Sequence, residues 1–216
     1  MRIIAGRFKA KKLVSPKTEK TRPTLDRVKE ALFSIINNYI NDDTYVLDLF
    51  GGTGNLALEA ISRGAKFAWI NDKESLSIST IISNVKLTNS IECVKITKKD
   101  YTKCLNQIAA ENMLFDIIFL DPPYDSMLGV ETLTKISESE NQVLKKDGII
   151  IYETDKNFLL KLEKSNKAEI LNSFKNLQCI YERAYGNVVL KMYKWRYKNG
   201  SIHIVREFRR NIRIRV

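Results

Sequence analysis

The sequence predicts an α/β fold of the doubly wound, Rossmann-like kind: a mostly parallel sheet covered by helices on both faces. Three observations carry this expectation. Short apolar runs alternate with about ten to twenty residues of helical pattern, the rhythm of a parallel sheet with crossover helices. One apolar run leads into a glycine loop, Asp48-Leu49-Phe50-Gly51-Gly52-Thr53-Gly54, and the most apolar stretch, Met113 to Leu120, closes on Asp121-Pro122-Pro123-Tyr124.

The elements follow in order. Arg2 to Val14 reads as a small basic hairpin, with Ile3-Ile4 and Leu13-Val14 as short strands. Thr21-Arg22-Pro23-Thr24 leads into a helix from about Leu25 to Tyr39, with Thr24 as N-cap. Its apolar positions Leu25, Val28, Leu32, Ile35, Ile36 and Tyr39 recur at helical spacing and should pack on the sheet, leaving Arg22, Arg27 and Lys29 to point elsewhere. Thr44 to Phe50 reads as a buried strand and Asn55 to Arg63 as the helix after the glycine turn, stopped by Gly64. Then come a strand at Phe67 to Ile70, a helix at Ser75 to Leu87, a strand at Ile91 to Ile96 and a helix at Tyr101 to Glu111. A strand at Phe115 to Leu120, a helical stretch near Gly129 to Leu144 and a strand at Gly148 to Glu153 continue the rhythm. Asn172 to Tyr185 and Asn187 to Tyr193 flank Gly186 and read as an antiparallel pair at the sheet edge.

Composition narrows the functional classes. A chain of 216 residues, 44% hydrophobic, is the size of one domain with a single sizeable core. No apolar run reaches the length of a membrane-spanning helix, and the first residues lack a secretory signal's apolar block, so the expected location is the cytoplasm. Cys93, Cys104 and Cys179 show no metal-ligand spacing and the single histidine is His203, so no metal site is expected and the thiols should be reduced. The net charge of +11 is concentrated at the ends. Residues 1 to 30 hold ten lysines or arginines against three acids, and residues 196 to 216 hold seven against one. The remainder holds nineteen against twenty-one, so the body is nearly neutral. Such an arrangement suits a polyanion gripped by the ends while the body performs chemistry.

In a doubly wound sheet ligands bind beyond the carboxyl ends of the strands, where the glycine loop falls. Gly51, Gly52 and Gly54 let the backbone turn sharply with no Cβ in the way. Gly52 to Ala57 also fits the dinucleotide fingerprint G-x-G-x-x-G/A, so a nicotinamide cofactor competes with S-adenosylmethionine at this point. Acids on successive strand ends favour the sulfonium nucleoside. Asp48 can orient an ammonium, Asp72 can accept from ribose hydroxyls, and Asp100 can meet an adenine amine. Phe50, Thr53, Asn71 and Tyr101 complete the candidate cofactor set.

The reaction these residues suit is in-line displacement of a methyl group from sulfonium by an exocyclic NH2, a nitrogen whose lone pair is delocalised into its ring. Asp121 and the Pro122 carbonyl can accept its hydrogens and aim the lone pair at the methyl carbon. Pro122 and Pro123 fix φ and keep those acceptors aimed. Tyr124 can stack on a base drawn out of its helix or loop, worth about 1–3 kcal/mol.

With these residues named, the chain resembles the RsmD family, bacterial methyltransferases of the guanine N2 amine in small-subunit ribosomal RNA. The resemblance covers about residues 1 to 194 and rests on four segments. They are Arg2-Ile3-Ile4-Ala5-Gly6; Thr21-Arg22-Pro23-Thr24 with Asp26 to Phe33; Leu47 to Gly54 running into Leu58 to Ala65; and Asp121 to Tyr124. It implies a class I methyltransferase domain, expected over residues 25 to 195 after a basic extension, 1 to 24, and before a basic tail, 196 to 216. It also implies S-adenosylmethionine as donor and an assembled or partly assembled 30S particle as substrate. Catalytic candidates are Asp121, Pro122 and Tyr124; candidate RNA contacts are Arg2, Arg7, Arg22, Thr24, Arg27 and Pro123. Where the family usually has Glu after the second strand this chain has Asn71 and Asp72, and Gly51 stands where Ala is commoner. Arg209, Arg210, Arg213 and Arg215 in the tail can grip phosphates. A monomer is expected. An adenine-N6 or other amino methyltransferase on DNA or RNA is the alternative within the class, and a non-catalytic RNA-binding assembly factor the alternative outside it.

Overall fold

Seven strands, counted among the described residues, form one sheet in the order β3-β2-β1-β4-β5-β7-β6 in a computed structural model of the chain. The structure describes residues 1–15, 23–123, 126–138, 142–165, 171 and 174–196, with the backbone alone for 23–25. Tyr124, Arg22, the side chains of Thr24 and Leu25, and the tail beyond Arg196 therefore lie outside the described residues. The strands are β1 (Tyr45–Asp48), β2 (Phe67–Asp72), β3 (Val94–Lys98), β4 (Phe115–Leu120), β5 (Leu144–Asp155), β6 (Leu177–Tyr185) and β7 (Val188–Trp195). The first five run parallel, while β7 is antiparallel to both β5 and β6. Gly186, at φ 63°, makes the β6–β7 turn.

The alternation of side chains across a strand sorts the core into two layers. Val46, Ile117, Phe119, Ile149 and Ile151 face α1 (Pro23–Ile36), α2 (Asn55–Ser62) and α3 (Ser75–Leu87). Leu47, Trp69, Ile118, Ile150 and Tyr152 face α4 (Tyr101–Ala110), α5 (Leu128–Glu138) and α6 (Lys156–Lys164). Ile3 and Leu13 belong to the first layer, so the N-terminal segment shares the main core.

Several elements differ from the sequence expectation. α1 begins at Pro23, so Thr24 sits inside the first turn rather than capping it. Proline is preset for the first helical position, where its missing N–H costs nothing. Residues Asn37–Tyr39 tighten into a 3-10 turn, and so do Ile91–Cys93, which delays β3 to Val94. α5 ends at Glu138, and Leu144 starts β5 by pairing with Phe115. Periodicity alone cannot separate a short apolar run in a strand from one in a helix. α6 was not expected; Asp155 caps it by accepting from the Asn157 N–H at 2.7 Å, and it buries Phe158 and Leu162.

Lys29 departs most from expectation. Instead of pointing away it is 4% exposed, and its ammonium donates to the Arg2 carbonyl (2.6 Å) and Asn55 Oδ1 (2.7 Å) and pairs with Glu59 (3.0 Å). Glu59, wholly buried in α2, also accepts from the Ile4 and Ala5 N–H groups and from Arg63. Burial holds the Lys29 pKa below the ordinary lysine value despite Glu59. The N-terminal hairpin is consequently tied to α2. Only one ladder bridge, Arg2 to Lys12, joins its arms, because Ile4, Ala5, Arg7 and Phe8 donate to Glu59 or Ser62. At Gly6, φ 79°, an added Cβ would lie 1.8 Å from the Ser62 carbonyl, so only glycine fits there.

Candidate active site

Strands β1, β2, β3 and β4 deliver their carboxyl ends to one cavity of about 470 Å³ beside the glycine loop. After β1 the chain turns through Gly52 (φ 55°) and Gly54 (φ 77°), conformations open to glycine, and Gly54 starts α2. Gly51 is glycine for another reason: a Cβ there would meet Ile70 Cγ2 at 2.5 Å, so the loop sits against β2. That contact accounts for Gly51 where the resemblance leads one to expect Ala.

Two neighbouring residues at the end of β2 divide the work. Asn71 is 1% exposed; its amide donates to the Leu49 and Lys99 carbonyls at 3.2 and 2.9 Å, and its Oδ1 accepts from Thr97 at 2.9 Å. It joins the ends of three strand segments. Asp72 is more exposed, accepts from the Gly52 N–H at 2.8 Å and from the Glu74 N–H at 2.8 Å, and thereby shapes the loop from the cavity side. A carboxylate has further lone pairs for a ligand hydroxyl. Of the two, Asp72 is thus the one that keeps acceptor capacity on the cavity side.

Asp48 is 1% exposed at the cavity wall. Its Oδ2 accepts a long bond from the Ala57 N–H (3.4 Å), and its Oδ1 is without a hydrogen-bond partner among the described residues. Burial, with the nearby Asp72 charge adding to it, pushes its carboxyl up to about 7. A buried acceptor left unmet inside a cavity is what a cationic donor would satisfy. Asp100 caps α4 through Thr102, whose N–H and hydroxyl hold its pKa below the ordinary value. Tyr101 follows it, with its ring 6.0 Å from that of Phe50 and its hydroxyl 3.2 Å from Glu131. Thr53 lines the cavity beside Met1, its hydroxyl donating to Met1 Sδ at 3.2 Å.

Beyond β4, half-buried Asp121, buried Pro122 and exposed Pro123 line the same cavity. Of the expected cofactor and catalytic residues that are described, all but Gly54 line this one cavity. None of the described candidate arginines lines the cavity. Arg2 lies near the cavity, paired with Asp26 at 3.4 Å, and Arg27 is exposed on α1. Arg7 is carried to the far end of α2, where its guanidinium lies 4.7 Å from the Phe8 ring centre and 3.8 Å from Cys93 Sγ.

The described lining is acidic: Asp48, Asp72, Glu74, Asp100, Asp121 and Glu153 against Lys29, Lys73 and Lys99, with Lys29 already committed to Glu59. This charge pattern opposes a dinucleotide pyrophosphate and suits a ligand bearing positive charge. Glu153 and Lys29 were missed in the sequence as cavity residues. Glu153 carries no motif signal, although it stands at the end of an apolar strand as Asp48 does, and Lys29 falls within the Asp26 to Phe33 segment without a cavity role being expected of it.

Residues 1–194 match the family model described as Conserved hypothetical protein 95. The chain belongs to this family, which is that of RsmD. Among relatives, the Bacillus subtilis protein YlbH is 33% identical over 91% of this chain and 100% of its own length. "Ribosomal RNA small subunit methyltransferase D" of Haemophilus influenzae is 34% identical over 72% of this chain and 79% of its own. The solved structure of yhhF from Escherichia coli aligns with a TM-score of 0.72 and 26% identity, covering 90% of this chain and 97% of that one. The family member described here accordingly has the Rossmann-like fold of class I methyltransferases. The family match ends before the basic tail.

Proposed function

We propose that this protein transfers a methyl group from S-adenosylmethionine to the exocyclic N2 amine of a guanine in small-subunit ribosomal RNA, acting on an assembled or partly assembled 30S particle. One observation carries the reading: Asp121 and Pro122 share a cavity with the unmet Asp48 oxygen and the glycine loop. Relatives named for small-subunit rRNA methylation, at 30 to 34% identity, support RNA as the substrate.

The residues present fit the cofactor. Asp48 Oδ1 would accept from the methionine ammonium, Asp72 from the ribose hydroxyls and Asp100 from the adenine amine, with Phe50 and Tyr101 beside the ring. When bound, the cofactor supplies an electrophilic methyl group on sulfonium. Asp121 and the Pro122 carbonyl hold the two amine hydrogens, which turns the nitrogen lone pair out of conjugation and toward the methyl carbon. The proton that the amine gives up on methylation would leave by way of Asp121 to solvent. Arg2, Arg22 and Arg27 would hold RNA phosphates around this centre, and Tyr124 would stack on the base.

The test is methyl transfer from labelled S-adenosylmethionine to 30S particles lacking the modification, compared with free RNA, followed by digestion to nucleosides. N2-methylguanosine, formed on particles, is the expected product. N6-methyladenosine would select the other amine methyltransferase reading, and no cofactor uptake would select the assembly-factor reading. Asp121→Ala should abolish transfer while leaving cofactor affinity within a few fold, since this carboxylate meets the amine rather than the nucleoside.

A further inference from the structure

Glu153 lines the cavity and, like Glu74, has no part in the reaction as described. Along β5, Ile149 and Ile151 face the α1–α2 layer and Ile150 and Tyr152 the opposite one, which places Glu153 on the α1–α2 side. Its β7 partner Leu190 lies in that same layer. On β4, Ile117 and Phe119 face that layer too, and the alternation carries Asp121 to the same side. The parallel register pairs Phe119 with Ile151 and Leu120 with Tyr152, so Asp121 and Glu153 are the next residues out on adjacent strands. Adjacent strands lie about 4.8 Å apart. Glu153 is only 8% exposed, yet it lines the cavity together with Asp121 and Pro122. Asp48, on the same face of β1 and paired with Phe119, brings its unmet oxygen to the cavity beside them.

Guanine offers adjacent donors along one edge, the ring N1–H and the exocyclic N2 amine. Two carboxylates on neighbouring strands match that row, whereas adenine presents an acceptor at N1 and would set lone pair against lone pair. We propose that Glu153 is a specificity-determining residue that accepts the N1–H of the guanine whose amine is held by Asp121 and the Pro122 carbonyl. The inference rests on the function proposed above and adds to it the group that selects guanine.

The purine 2,6-diaminopurine separates the two ideas, because it keeps the reacting 2-amine but has an acceptor at N1. Small-subunit rRNA ligated from synthetic fragments and assembled into 30S particles would carry either guanine or diaminopurine at the nucleotide that the wild-type protein modifies. Wild-type kcat/KM should favour guanine by on the order of 100-fold, as expected when a buried acceptor loses its donor. Glu153→Gln, whose amide can donate to an N1 acceptor, should shrink that preference to within about 10-fold while S-adenosylmethionine affinity stays within a few fold. A wild type that uses both purines equally overturns the inference whatever the variant does, and so does a preference that Glu153→Gln leaves unmoved. A wild type that makes no N2-methylguanosine at all overturns the proposed function and this inference with it.

Discussion

Replacing Asp48 by asparagine should make the ligand-free protein more stable at alkaline pH while destroying its use for the cofactor. Burial raises the Asp48 carboxyl from 3.8 to about 7. Between those values the folded chain binds more protons than the unfolded chain, so the stability contributed by the protonated carboxyl is full below 3.8 and is lost as pH rises to about 7. At 1.36 kcal/mol per pH unit the whole window is worth ~4 kcal/mol, of which ~2–3 kcal/mol falls above pH 5. Asparagine cannot ionise, so wild type should lose ~2–3 kcal/mol relative to Asp48→Asn between pH 5 and pH 8. Any fixed cost of a poorly met buried amide, about 1–3 kcal/mol, cancels in that comparison. Thermal unfolding of both proteins at both pH values measures it, and for a chain of this size the relative movement in Tm should be roughly 4–12 °C. Adding S-adenosylmethionine at pH 8 should raise the wild-type Tm and leave the variant's unchanged, since the ammonium that Asp48 would accept has lost its carboxylate. A difference between the proteins that is the same at pH 5 and pH 8 would show that Asp48 does not carry a strained charge.

Other perturbations probe the supports of the site. Glu59→Gln leaves the buried Lys29 ammonium without its counter-charge and should cost about 3–5 kcal/mol in urea unfolding; a loss below ~1 kcal/mol would mean that the clamp between hairpin and α2 is incidental. Gly51→Ala drives a Cβ to within 2.5 Å of Ile70 Cγ2 and should cost about 1–3 kcal/mol, with weakened cofactor binding. Ile70→Ala in the same chain should recover part of the Gly51→Ala loss, and strictly additive losses would rule out that contact as the cause. Arg27→Ala should raise the RNA concentration needed for half-maximal transfer and flatten the salt dependence of binding by about one unit of slope, with cofactor affinity unchanged.

Much of the fold could be read from local pattern. α3 at Ser75–Leu87 and β4 at Phe115–Leu120 were legible to the residue, because a regular apolar period and a bounded apolar run are properties of neighbours in the chain. The glycine loop and the carboxylates at strand ends were legible because a turn that needs positive φ leaves few choices of residue. Lys29 was misread since charge at one helical position says nothing about a buried glutamate thirty residues on. α6 carried its signals, an Asp155 cap and apolar Phe158 and Leu162, but lay beyond the strand that ended the recognisable rhythm.

The order of residues determined which strands exist, where the chain turns on glycine, and which acids end up at strand ends, since all of these follow from short-range sterics and the period of burial. Only the packed sheet decided that Asp48, Asp121 and Glu153 share one face of three adjacent strands, that Asn71 ties strand ends while Asp72 holds the glycine loop, and that the N-terminal segment hangs on Glu59. Those facts depend on register and strand order, which bring together groups far apart in sequence, and on burial, which gives the same carboxylate a different pKa at the core than at the surface.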